Sequence, residues 1–145
     1  MQKYIYIMIG GALGAVLRLL VKNTHIWNYF GNIPLNTLLI NITGCFLLAF
    51  FLVVALEIID VDANVRIGVS TGFLGAFTTF SSLCKENVLL MLNGDFFPAI
   101  AYIIISIVLG LAASFLGVVL ARKVIAKIAG HSVEKLSKSS QSGAE

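Results

Sequence analysis

Apolar residues run along this chain in four long blocks, Tyr4 to about Val21, Leu35 to Leu56, Ile67 to about Leu92 and Phe96 to Ala121. A helix needs roughly 20 apolar residues to cross a hydrocarbon core. The pattern therefore predicts an all-α integral membrane protein, with four transmembrane helices packed as one bundle over residues 1–128. The linkers are short and their chemistry is ordinary. Pro34, after Asn32 and Ile33, falls near the first turn of the second helix, Asp62 is placed to cap the third, and Asp95 with Pro98 opens the fourth. Residues 129–145 are polar and Ser-rich, which predicts a disordered tail.

The first block begins after Lys3 like a secretion signal, but it runs longer than a signal's apolar core. It also contains Arg18, ends at Lys22 and offers no convincing small-residue cleavage site, so it is expected to remain as a helix.

The third block breaks the apolar pattern most strongly. Gly72-Phe73-Leu74-Gly75-Ala76-Phe77-Thr78-Thr79-Phe80-Ser81-Ser82 brings helix-weakening and hydroxyl residues to membrane depth. Backbone that leaves the helix there is tolerated only when buried in protein or lining a polar cavity. A break near the middle of this helix is expected, bordering an ion or a path. Gly68, Gly72, Gly75, Thr79, Ser82 and Glu86 recur at steps of three and four, which predicts one small and polar face. The glycines alone suit close helix packing, a reading that leaves Thr78, Thr79, Ser81 and Ser82 unexplained.

The second block presents Thr37, Asn41 and Gly44 at similar spacing, and the fourth presents Tyr102, Ser106 and Gly110. Asn41 suits either an interhelical hydrogen bond or a donor aimed into a polar path. Arg18, on the face of Gly10 and Gly14, suits a cation reaching the interface or an electropositive entrance that concentrates anions. Lys85 and Glu86 read as an interfacial charge pair.

Composition narrows the class further. Of 145 residues, 59% are hydrophobic and 12% charged, which excludes an ordinary soluble domain. Counting Lys and Arg favours cytoplasmic termini, but much of the excess lies in the C-terminal extension and Glu57, Asp60 and Asp62 make one loop acidic, so dual insertion stays open. Cys45 and Cys84 sit inside apolar blocks and suggest neither a disulfide nor a metal site. His25 falls in a loop and His131 in the tail, and no catalytic or phosphate-binding motif is present. No block has a carboxylate at its middle, as a proton-coupled exporter of organic cations would require. The expectation is passive passage of something small rather than catalysis, with no nucleic-acid partner. Hydroxyl and amide donors favour an anion, and Phe80 presented edge-on would attract one through the positive rim of its ring.

Three segments, in order, carry a family resemblance: Gly10-Gly11-Ala12-Leu13-Gly14-Ala15-Val16-Leu17-Arg18, Asn36-Thr37-Leu38-Leu39-Ile40-Asn41-Ile42-Thr43-Gly44-Cys45-Phe46 and Gly75-Ala76-Phe77-Thr78-Thr79-Phe80-Ser81. Over residues 1 to about 127 the chain resembles the CrcB/Fluc fluoride channel family. The resemblance implies an antiparallel, dual-topology dimer in a bacterial plasma membrane, fluoride as the transported ion and lipid around it. It further implies a structural sodium ion held by the backbone carbonyls of Gly75 and Thr78 from each subunit. It assigns Asn41 and Phe80 to the pore, Thr79, Tyr102 and Ser106 to a hydroxyl track, Thr37 to the donors nearby and Arg18 to an electropositive region. The family commonly carries a second phenylalanine three residues after the first, where this chain has Leu83. Either one ring suffices or the chain pairs with a homologous subunit. The competing expectations are a heteromeric channel subunit, a non-conducting assembly subunit and a four-helix exporter.

Overall fold

The computed structural model describes residues 2–23, 33–57 and 61–142, all helix and short connections without strands. His25, Asn32 and Asp60 lie outside the described residues. Helix α1 spans Gln2–Asn23, α2 spans Leu35–Glu57 and α6 spans Phe96–Ser142. Between them the third span is assembled from α3 (Ala63–Ile67), a π-helical segment (Gly68–Leu74), α4 (Gly75–Phe77) and α5 (Phe80–Leu92). Among the described residues, four stretches are long and apolar enough to cross a membrane: Gln2–Asn23, Leu35–Glu57, Ala63–Leu92 and Phe96–Lys127.

Local chemistry sets the ends. The third span begins at Ala63, before the expected Ile67, because the Asp62 carboxylate accepts from the backbone N–H groups of Asn64 at 2.8 Å and Val65 at 3.3 Å. This is the capping role expected of it. Before α6 the chain turns through Gly94 at φ 86°, and the Asp95 carbonyl accepts from Ala99 N at 3.1 Å. Helix α6 runs through Ser142, over part of the 129–145 segment expected to be a disordered tail. No proline follows Pro98, and Glu134, Lys135, Leu136 and Lys138 are good helix formers, which offsets the roughly 1 kcal/mol penalty of Gly130 inside a helix. At 47 residues, α6 is about 70 Å long, more than twice a hydrocarbon core.

Two packings hold the bundle. Helix α2 lies along α6, and α1 lies along the π segment and α4. The first uses the buried stripe Tyr102, Ala113, Gly117 and Ala121 of α6. The second brings backbones together: a Cβ on Gly14 would collide with the Phe73 carbonyl, and one on Gly72 would lie 2.8 Å from the Ile7 carbonyl. Only residues without side chains permit that approach. The outer faces of α1 and α6 leave Met8, Leu13, Leu111 and Phe115 exposed, as lipid contact requires.

The third span does not keep the single small and polar face expected of it. Gly68 and Gly72 turn toward Tyr6 and Ile7 of α1, whereas Thr79 and Glu86 turn toward α2 and α6. The π segment and an extended step at Thr78 and Thr79 change the residues per turn, and the phase of the stripe is lost.

Candidate functional site

At the step, Thr78 takes φ −71°, ψ 155° and Thr79 takes φ −148°, ψ 110°, both extended, between α4 and α5. Two side chains serve the backbone there. Asn41 of α2 accepts from Thr79 N through Oδ1 at 2.8 Å and donates from Nδ2 to the Thr79 carbonyl at 3.1 Å. Thr79 caps α5, its Oγ1 accepting from Ser82 N at 3.2 Å and donating to Ser82 Oγ at 3.1 Å. Gly44, one turn beyond Asn41, leaves room for the Thr78 methyl, which any Cβ there would strike.

These bonds have a consequence for the carbonyls. In an unbroken α-helix the N–H of Thr79 would serve the Gly75 carbonyl and that of Ser82 the Thr78 carbonyl. Here both N–H groups donate to side chains instead. The step also joins two helix ends of opposite character, the carbonyl-rich end of α4 and the amide-rich start of α5.

Beside the step lies an open cavity of about 230 Å³, lined by Asn41, Gly44, Cys45, Leu48, Thr78, Thr79 and Phe80. Phe80 stands at its rim, 79% exposed. Leu83, one turn later, packs inward on the core of Leu38, Leu90, Ala99 and Tyr102.

One turn from Asn41 on α2, a second polar cluster centres on Glu86. Its Oε1 accepts from Thr37 Oγ1 at 2.7 Å and lies 3.4 Å from Lys22 Nζ, and its Oε2 accepts from the Tyr102 hydroxyl at 3.0 Å. Thr37 and Tyr102 are both buried. The two clusters, one helical turn apart along α2, make up a polar seam between α2 and α5.

Of the residues singled out by sequence, Thr37, Asn41, Thr78, Thr79, Phe80 and Tyr102 line this seam or its cavity. Gly75 is exposed two residues before the step ends α4. Ser106 stands apart, its hydroxyl spent on the Tyr102 carbonyl at 2.7 Å. Arg18 is half-buried on α1 and joins neither cluster. Glu86 and Lys22 were missed: the ion pair forms between α5 and the end of α1, not between Glu86 and Lys85. A signal was present, because Glu86 follows Ser82 by one helical turn inside an apolar span, and ionisable residues there face the bundle interior. Both cysteines are free.

The family model described as CrcB-like protein, Camphor Resistance (CrcB), matches residues 5–118. A protein of Thermosipho melanesiensis named fluoride-specific ion channel FluC is 44% identical over 125 residues, covering 83% of this chain and 97% of its own. Proteins of the same name from Hydrogenobaculum sp. and Sulfurihydrogenibium sp. are 41% and 37% identical, covering 80% and 84% of this chain and 94% and 98% of theirs. The three segments quoted from the sequence all fall inside the matched region, and the chain belongs to the CrcB family.

Proposed function

We propose that this protein is a fluoride-selective channel of a bacterial plasma membrane, an ion channel rather than an enzyme, which lets cytoplasmic fluoride leave down its electrochemical gradient and so protects the cell. Relatives across most of the chain bear the name fluoride-specific ion channel. The observation that carries the reading is the step at Thr78 and Thr79, held by Asn41 beside an open, mostly apolar cavity into which a few polar groups converge, with Phe80 at its rim. A small anion needs donors to replace part of its hydration shell, and a full positive charge at mid-path would hold it too long. The remaining amide proton of Asn41 and the start of α5 supply donors without that charge, and the Thr79 and Thr37 hydroxyls, which donate to Ser82 and Glu86, would turn to the ion as it passes.

The step also bears on assembly. Polar backbone at mid-span, as at the step beside the exposed Phe80, is poorly served by lipid. A second copy in antiparallel orientation would cover it and complete the path. The Gly75 and Thr78 carbonyls, whose usual helical donors are diverted, are hard oxygen ligands suited to a sodium ion. Two copies would supply two such pairs, and the ion would neutralise the carbonyl end of α4 at the subunit contact.

A second reading rests on Leu83. Because this side chain packs into the core, each copy offers the cavity only the Phe80 ring on this segment. A homologous subunit with a second ring would complete a heteromeric pore. Efflux from liposomes, read with a fluoride electrode, tests both: fast fluoride release with negligible chloride release supports the homomer. A well-folded homomer that releases no fluoride rejects it in favour of the heteromer.

A further inference from the structure

Glu86 lies near the end of the bundle where α1 stops and α2 starts, its side chain 15% exposed beside the buried Thr37 and Tyr102. A carboxylate in that position repels any anion approaching the Thr37 and Tyr102 hydroxyls. Lys22, in the last turn of α1, places its ammonium 3.4 Å from Glu86 Oε1, the oxygen that also accepts from Thr37. The Asn36 amide, donating to the Lys22 carbonyl at 3.5 Å, ties the end of α1 to the start of α2.

We propose that Lys22 is a permeation determinant: its ammonium cancels the charge of Glu86 at this end of the α2–α5 seam, so that an arriving small anion meets no net negative charge there. The proposal rests on the fluoride-channel reading and deepens it. An exposed ion pair of this kind contributes little to folding, and Lys22 is 47% exposed. Its charge nevertheless acts on a mostly buried carboxylate, and charge at a cleft mouth changes ion entry by tenfold or more.

Fluoride efflux from liposomes, normalised to folded protein recovered by size exclusion, is measured for wild type, K22Q, K22R, E86Q and K22Q/E86Q. K22Q is expected to slow efflux at low fluoride about tenfold and to raise the half-saturating fluoride concentration. K22R should return to within about twofold of wild type, since it restores the charge. Adding K22Q to E86Q should slow E86Q no further. A conducting wild type with K22Q unchanged, K22R no better than K22Q, or K22Q slowing E86Q by the same factor as wild type, overturns this proposal alone. Where E86Q is itself silent, the K22R rescue and the half-saturation shift decide. A wild type that passes no fluoride overturns the channel reading and this proposal with it.

Discussion

Before Thr78 the third span meets α1 through backbone, with Gly68 against Tyr6 and Gly72 against Ile7. After Thr79 it meets α2 and α6 through amide, hydroxyl and carboxyl groups, in the bonds from Asn41, Thr37 and Tyr102. The two halves belong to one span, yet one excludes everything by close contact while the other holds polar groups at membrane depth. The difference teaches where an ion can go. A glycine contact leaves no room for a hydrated or half-hydrated ion, whereas the α2–α5 seam has both donors and an adjoining cavity.

The comparison breaks most completely at the glycine contact. Gly14→Leu drives a side chain into the Phe73 carbonyl, and nothing on a backbone can swing aside. Overpacking costs about 1–3 kcal/mol where side chains can adjust, so a backbone clash should exceed that and remove the folded protein. Size-exclusion profiles in detergent would show aggregate in place of a single peak; a normal profile would deny that the contact is close-packed. On the polar half, Asn41→Leu keeps the volume but leaves the Thr79 N–H and carbonyl without their partners. At about 1–3 kcal/mol for each of these two groups, the loss should be about 2–6 kcal/mol, measured as a lowered unfolding midpoint. An unchanged midpoint would mean that the step does not depend on Asn41. The smallest effect belongs to neither half. Arg122→Ala removes an exposed pair with Glu57 at 3.7 Å and should cost under about 1 kcal/mol in the same assay. A larger loss would place an unrecognised anchor between α6 and the C-terminal end of α2.

Sequence made the four spans legible because their apolar blocks are uninterrupted, and the Asp62 cap because an acidic residue precedes the helix it serves. Asn41 and Thr79 were legible as polar residues out of place in lipid and Phe80 through its ring edge and the family resemblance, and the three line one cavity. What sequence did not reveal was rotation. Nothing in Gly68-Val69-Ser70-Thr71-Gly72-Phe73-Leu74 distinguishes a π from an α turn, so a stripe drawn at steps of three and four crossed a change of phase. The same cause hid the Glu86 cluster, whose partners on α1, α2 and α6 only the turned α5 brings together. Ser106 shows what spacing leaves open: a hydroxyl inside a helix has its own i−4 carbonyl within reach, and here it donates to that of Tyr102.

The account's central claim is that the half of the third span after the step carries the fluoride path. Phe80 is 79% exposed and contributes little to its own subunit's core, so Phe80→Ile removes the ring at the cavity rim while leaving the fold of the chain alone. Fluoride efflux from liposomes holding equal amounts of folded wild type and F80I is the direct measurement. The account predicts fast release by wild type and a loss of about 100-fold or more in F80I, in line with removing a single preorganised electrostatic contact. Equal release by the two proteins would contradict it and move the path away from the step.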